Sequence, residues 1–482
     1  MRPSAFNLRV PLANGEVFLM NTLTDAQAVV SDDVAAMIDS LGAGANGADG
    51  PVPEGAEEAL QELADNGFLV RRDRSEREAV ESFFAGFRDD TSQLRVTILT
   101  TLQCNFACDY CYQGERDGGG SPAGRMSLET AAQVAAWISG QVDQVRPQRL
   151  VLTFFGGEPL LNVPAMIEIA ERCARHAAWR GVNHAVNIIT NGLLLTPDIV
   201  ERMKPLGLTG LKVTLDGDRE THDRKRPLRG GQGTFDRIIE NVGRVAPLVP
   251  VTIGGNFDME TAGRYTALLD FLGAQAFAGR ISKVSFKPVI KPAAPAMPAG
   301  AIPLAPAGAG ANPPARSCMS AAGASTGRTA GARPGSPCDS CGLVDDTMSF
   351  LREETRRHGF PAGDGVHMGP CEVHRRHSHT IGPDGSLYAC PGFTGEFAVA
   401  VGHIDGRRDP ERAAAARRFG RLAPWRRCGD CPFIPVCGGG CTVAAHAELG
   451  DMDAPSCHRR SLEAALTSLA AEAAGVQPGE IQ

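Results

Sequence analysis

From residue 95 to about 290 the chain alternates short apolar runs with amphipathic stretches, and this alternation constrains its fold more than any other feature. Six runs read as strands: "RVTILTT", "LVLTFFG", "AVNIITN", "GLKVTLD", "VPVTIGG" and "KVSFKPVI". Five stretches between them carry apolar residues at helical spacing: "SLETAAQVAAWISGQV", "VPAMIEIAERCARHAAW", "PDIVERMKPL", "FDRIIENVGRVA" and "TAGRYTALLDFLGA". Near-continuous apolar strands are covered on both faces, and helices between parallel strands make right-handed crossovers. The pattern predicts a parallel α/β sheet over residues 91–291. Six units are too few for an eightfold closed barrel. A partial (β/α)6, TIM-like barrel is expected, with its chemistry at the C-terminal strand ends.

The flanks read differently. Over residues 1–90, "FNLRVPL" and "EVFLMNT" form a hairpin about "ANGE", and "SDDVAAMIDSL" opens a helix with Ser31 and two acids. "GAEEALQELADNGFLVRR" is a helix that stops at Asn66-Gly67 and passes into a strand. Helices with a strand wing predict a small winged-helix-like module. Residues 292–337 are mostly Ala, Pro and Gly, which bury too little apolar surface to offset ordering entropy, so a flexible insertion is expected. Residues 338–482 are cysteine-rich and end in a helical tail.

Length and charge narrow the classes. At 482 residues the chain needs several domains, and a net charge of -7 argues against nucleic-acid binding. The start "MRPSAFNLRVPLANGEV" lacks the basic and apolar regions of a signal peptide, and no run approaches a membrane span. A cytoplasmic protein with no membrane partner is expected. There, 14 cysteines argue for metal or cluster ligation over disulfides. Cys173 stands apart on the apolar face of a predicted helix and reads as a buried structural thiol.

"CNFACDYC" places Cys104, Cys108 and Cys111 directly after the first barrel strand. Three thiolates hold a cubane with one iron open, whereas zinc needs a fourth ligand that no nearby residue supplies. The amine and carboxylate of an amino acid can chelate the open iron. With Tyr110 before the last cysteine, the spacing resembles the radical S-adenosylmethionine superfamily. That resemblance implies a 4Fe–4S cluster, S-adenosylmethionine as the missing ligand, and a deoxyadenosyl radical that takes hydrogen from substrate. It also implies an external electron donor, whether a reductase, a flavodoxin or a ferredoxin.

Later strand ends extend the resemblance. "FFGGEP" (Gly156, Gly157, Glu158) resembles the superfamily's GGE motif: the glycines allow close backbone approach, and Glu158 pairs the cofactor ammonium. "ITNG" (Thr190, Asn191), "LDG" (Asp216) and "GGNFD" (Asn256) end the next strands, where the family contacts the cofactor's polar groups. Arg226 in "THDRKRPLRGGQGTFDRI" is the candidate for the cofactor carboxylate.

Cys371, Cys390 and the run Cys428, Cys431, Cys437 and Cys441, with Cys457 beyond, resemble in order the SPASM domain of peptide-modifying radical enzymes. The resemblance implies two auxiliary clusters. Cys428, Cys431, Cys437 and Cys457 hold the outer one, and Cys371, Cys390 and Cys441 the inner one. Cys338, Cys341 or substrate completes the inner cluster. Cys318, within the Ala/Pro/Gly run, is not expected to ligate. His374, His377 and His379 in "HRRHSH" read as a solvated basic loop rather than a metal site.

The resulting expectation is a peptide maturase that installs a thioether or carbon–carbon crosslink in a ribosomally made precursor. The N-terminal module would bind the leader peptide by strand addition, against the plainer reading of a packing extension. The alternative in the enzyme class is a sulfatase maturase making formylglycine, whose pattern places a catalytic Asp directly after the cysteine matching Cys390. Here that position is Pro391, which is neither acid nor base. Other SPASM enzymes, such as builders of peptide-derived redox cofactors, stay open. A non-catalytic electron carrier would need neither an open iron nor a GGE pocket.

Overall fold

The computed structural model describes residues 1–43, 57–111, 113, 124–290, 339–367, 369–407 and 409–476. The Ala/Pro/Gly-rich 292–337, with Cys318, and Cys338 lie outside the described residues.

The chain opens with β1 (Arg2–Pro3) and an antiparallel sheet of β2 (Asn7–Pro11), β3 (Glu16–Asn21) and β4 (Ala26–Ser31), in that order. The hairpin read around "ANGE" is β2–β3, with Val10 opposite Phe18 and Leu8 opposite Met20. Alternation sends Leu8, Val10, Phe18 and Met20 to one face and Val17 and Leu19 to the other. The second face is covered by α1 (Asp32–Ala43) and by Leu63 of α2 (Glu57–Asp65). At the end of α2, Gly67 takes φ +83° and Phe68 N–H donates to Leu63 O at 2.8 Å, stopping the helix where Asn-Gly predicts. β5 (Leu69–Val70) then pairs with β1, and α3 (Glu76–Asp89) starts at Ser75, whose hydroxyl accepts from Glu78 N–H at 3.3 Å.

The barrel follows as β6 (Gln93–Leu99), α4 (Leu128–Val145), β7 (Arg149–Phe155), α5 (Val163–Arg180), β8 (Asn183–Thr190), α6 (Pro197–Met203), β9 (Leu208–Thr214), α7 (Arg219–Lys225), α8 (Phe235–Val245), β10 (Val251–Phe257), α9 (Tyr265–Gly273) and β11 (Ile281–Pro288). β6 to β11 lie side by side in chain order, each parallel to the next. Leu94, Val96, Ile98, Leu150, Leu152 and Phe154 pack beneath the helices. The intervening Thr97, Thr153, Thr214 and Thr252 therefore face the lumen, only partly buried. Cys173 on α5 belongs to the helix-side core, and burial alone pushes its thiol up to about 12.

The C-terminal region is tied to both neighbours. α10 (Asp339–Arg357) places Leu351 in the barrel core, and just beyond it Phe360 joins that core while Val284 N–H donates to Pro361 O at 2.9 Å. The same helix also meets the C-terminal part, with Asp345 2.7 Å from His458 and Asp346 3.0 Å from Arg460. β12 (Ser378–Ile381) runs parallel to β6, from Ser378 opposite Arg95 to Ile381 opposite Ile98. With β13 (Ser386–Tyr388) and β14 (Gly402–His403) it extends the sheet to nine strands. α11 (Pro410–Gly420), α12 (Ile434–Cys437), α13 (Thr442–Leu449) and α14 (Arg459–Ala474) complete the region.

Two expectations change here. "HRRHSH" is not a solvated loop: His374 is buried edge-on to Trp425 at 5.2 Å, and His379 lies on β12 against Trp137 at 5.1 Å. Burial pushes both imidazoles down to about 4, so they are neutral packing groups. Nor does the N-terminal sheet stand alone. Its β2–β3 face shares a core with Phe433, Val436, Leu462 and Leu466, and Phe84 stacks on Trp425 at 3.8 Å. Each such ring contributes roughly 1.5–3 kcal/mol when removed from water. Among the described residues, no helix is long and apolar enough to cross a membrane.

Candidate active site

The C-terminal ends of β6 to β10 bring Cys104, Cys108, Tyr110, Glu158, Thr190, Asn191, Asp216, Arg226 and Asn256 to one mouth. The join between β6 and β7 depends on glycine. A Cβ on Gly156, which has φ +136°, would meet Thr101 O at 2.3 Å, and one on Gly157 would meet Gln103 O at 2.2 Å. Gly157 N–H donates to Thr101 O at 3.0 Å and Glu158 N–H to Gln103 O at 2.9 Å. The close approach expected of these glycines is therefore made by the chain's own segment leading into Cys104. Only glycine permits it.

Glu158 is fully buried, not a solvated turn residue. Its Oε1 accepts from Thr190 Oγ1 at 2.7 Å and Leu160 N–H at 3.0 Å, and its Oε2 from Asn191 N–H at 2.7 Å. Burial pushes its carboxyl up, while these donors and Arg226 pull it back. Asn191, so placed, donates from Nδ2 to Asn105 Oδ1 at 2.8 Å, and the same amide lies 3.9 Å from Cys104 Sγ. Glu158 thus orients the polar groups beside the first cysteine. Asn105 was not singled out from the sequence, because an asparagine in a loop carries no periodic signal.

A second network lies alongside. Tyr110 OH donates to Asp216 Oδ2, Arg226 Nη1 donates to Tyr110 OH, and Asn256 reaches both, through Nδ2 to Tyr110 OH at 3.2 Å and through N–H to Asp216 Oδ1 at 2.7 Å. Arg226 lies 3.6 Å from Asp216, and both are buried. Burial pushes Asp216 up, and the Arg226 charge opposes it. Arg226, expected at the cofactor carboxylate, is held in the wall by these two partners, and its Nε has no hydrogen-bond partner among the described residues.

His222 and Lys225 also went unread in the sequence. His222 Nδ1 accepts the Asp216 N–H at 3.2 Å, and its Nε2 meets Thr234 Oγ1 at 3.1 Å; burial keeps the ring neutral. Lys225 Nζ joins Asp109 at 2.9 Å to Asp258 at 3.2 Å, tying the cysteine loop to the end of β10. The available signal was the polar density of "THDRK", which shows no apolar stripe.

The thiols sort into three groups by their mutual influence. Cys104, Cys108 and Cys111 share a loop; burial pushes Cys108 up to about 11, and Cys104 and Cys111 add to it. Cys390 rises to about 12 through burial, then Cys371 and Cys441. Cys428 rises to about 12 through burial, then Cys437, Cys431 and Cys457. Gly438, Gly439 and Gly440, at φ +61°, +88° and +85°, turn the chain between Cys437 and Cys441 so that the two thiols join different groups. Cys341 lies on α10.

Among the described residues, no three His, Cys, Asp or Glu side chains converge closely enough for a single metal ion. A lone tetrahedral zinc gathers its thiolates at about 2.3 Å. A cubane carries them on separate irons, so thiols that feel each other's charge without converging on a point fit it. Cys104, Cys108 and Cys111, three free thiols on one loop, are donors of the kind that a 4Fe–4S cluster takes.

Residues 98–265 match the family model described as the Radical SAM superfamily. The AdoMet-dependent heme synthase of Methanosarcina barkeri (strain Fusaro / DSM 804) is 33% identical over 144 residues, 30% of this chain and 36% of that protein. The serine-type anaerobic sulfatase-maturating enzyme of Bacteroides thetaiotaomicron is 28% identical over 143 residues, 29% of this chain and 33% of that protein. The chain spans about a third of the length of these curated relatives. Among solved structures, anSMEcpe with bound AdoMet and Cp18Cys peptide aligns at a TM-score of 0.55 and 15% identity, covering 79% of this chain and 97% of that one. At that identity the likeness is one of fold. Parallel strands in chain order from the end of β6 through β10, a cysteine loop seated on a glycine turn, and a family match over these residues agree: residues 98–265 are a radical SAM domain.

Proposed function

We propose that this protein is a radical S-adenosylmethionine peptide maturase that installs a thioether or carbon–carbon crosslink in a ribosomally made precursor. Cys104, Cys108 and Cys111 would hold the cluster that binds S-adenosylmethionine. Cys428, Cys431, Cys437 and Cys457 would hold an outer auxiliary cluster, and Cys371, Cys390 and Cys441 an inner one. When bound and reduced by a flavodoxin, ferredoxin or reductase, the first cluster supplies the electron that splits the cofactor's carbon–sulfur bond. The chain's own residues position and shield. Glu158 fixes Thr190 and Asn191 beside Cys104, and Asp216, Arg226, Tyr110 and Asn256 form a rigid polar wall.

The observation that supports a peptide substrate is β4. Among the described residues it is one of the two edges of the N-terminal sheet, paired with β3 on one side only, and Val29 on it is 38% exposed. An extended leader peptide can add there as a fourth strand through main-chain hydrogen bonds. A solved relative of this fold carries both AdoMet and a peptide, which supports a peptide as the ligand class.

Val29→Lys puts a charge on the edge, the device that proteins use to block strand addition. KM for a leader-bearing precursor should rise roughly tenfold, about 1.4 kcal/mol. Uncoupled S-adenosylmethionine cleavage and iron content should stay unchanged. An unchanged KM would remove β4 as the leader site.

A further inference from the structure

We propose that Lys212, Lys283 and Lys287 form an anion site on the lumen side of β9 to β11 that takes a carboxylate of the substrate peptide, from an acidic side chain or from the chain terminus. This deepens the peptide-maturase reading and rests on it for the identity of the ligand.

The strand register places all three lysines on one wall. Leu211 and Val213 point into the helix-side core, so Lys212 between them faces the lumen. Lys212 pairs with Thr252, and Thr252 pairs with Lys283 on the next strand; four residues up β10, Asn256 pairs with Lys287. Lys212 and Lys283 therefore share one level, and Lys287 stands above them at the mouth. The stem of Lys212 crosses β10 where Gly254 has no side chain: a Cβ there would sit 2.4 Å from Lys212 Cε. Gly254 is opposite Ser285, between Lys283 and Lys287, so the lysine reaches toward the strand that carries the other two.

Among the described residues, none of the three ammonium groups has a carboxylate within salt-bridge distance, in a chain whose net charge is -7. Burial pushes Lys212 down to about 8, and Lys287 and Lys283 push it the same way. Lys212 is half-buried and Lys283 and Lys287 are exposed at the rim of the cleft, and three cations so placed without a counter-ion form an electrostatic well for an anion. The well is also in the right place. Lys287 is level with Asn256 of the cofactor-side network. A carboxylate anchored there would hold the adjoining residue beside the network that Asn256 shares with Tyr110 of the first cysteine loop. Thr153, Thr214 and Thr252, in place of the branched apolar layers of a closed barrel, leave that cleft polar.

The test is reductive methylation of the anaerobic holoenzyme near neutral pH, with S-adenosylmethionine present throughout and each lysine followed by peptide mass spectrometry. Glutarate should slow labelling of Lys212 at least fivefold relative to exposed Lys204, and glutaramide, its neutral isostere, should not. Lys287→Ala should remove the protection, and Lys287→Arg should keep it. Equal labelling with and without glutarate, or equal protection by glutaramide, overturns the site. Two short probes separate the sources: acetyl-Gly-Glu-Gly-amide carries only a side-chain carboxylate, and acetyl-Gly-Gly-Gly only a terminal one. Protection by one of them assigns the source. Protection by glutarate but by neither peptide keeps a small-acid site and overturns the peptide reading.

Discussion

Alanine at Cys104, Cys108 and Cys111 together is expected to abolish 5′-deoxyadenosine formation and to remove about four irons per chain, one cubane's worth. The other two thiol groups lie outside this loop, on elements after residue 370, so their iron should stay. The fold should also survive. Cys104 and Cys108 are only partly buried, Cys111 is exposed, and the turn is held independently by Gly157, Glu158 and the Lys225 bridge to Asp109. Iron analysis and product chromatography on the variant check both halves. Residual deoxyadenosine would mean that another thiol group binds the cofactor.

The largest expected effect on stability is at Arg226. Arg226→Met leaves Asp216 buried without its counter-charge, and removing one partner of such a pair costs about 3–5 kcal/mol. Asp216 is 1% exposed and, among the described residues, has no other cation within salt-bridge distance, since Arg264 pairs with Asp218 instead. Restoring neutrality with Asp216→Asn in the same chain should recover more than half of the loss, because the desolvated charge is then gone. Anaerobic denaturant titration of the two variants measures this. If the double variant were no more stable than Arg226→Met alone, the cost would come from lost packing against Phe106 rather than from charge.

The sequence announced some parts of this structure and was silent on others, for identifiable reasons. The six barrel strands were legible because apolar runs between helices can only be buried on both faces. The Asn66-Gly67 stop was legible because the backbone there needs a left-handed residue. α7, "RETHDRK", was not legible, since it has no apolar stripe. α10 touches both the barrel core and α14, a bridging role that its own sequence does not show. The histidines of "HRRHSH" look polar in sequence, and only Trp425 and Trp137, brought from elsewhere, make them packing groups.

The N-terminal part carries a further lesson. Read alone, residues 1–90 invite deletion as a test of leader binding, with the cofactor residues left untouched. The structure shows that this deletion would strip Phe433, Val436 and Leu466 of their cover beside Cys431 and Cys437, and would unstack Trp425 next to Cys428. Loss of activity would then report lost packing. A single residue on β4 asks the same question without that cost.

The account depends most on what the cysteines hold. Protein purified and kept without oxygen, reconstituted with iron and sulfide, should carry roughly ten or more irons per chain with matching sulfide. It should also form 5′-deoxyadenosine when given S-adenosylmethionine and a reductant. Zinc in place of iron at the cysteine groups of such protein, with no deoxyadenosine formed, would contradict the account.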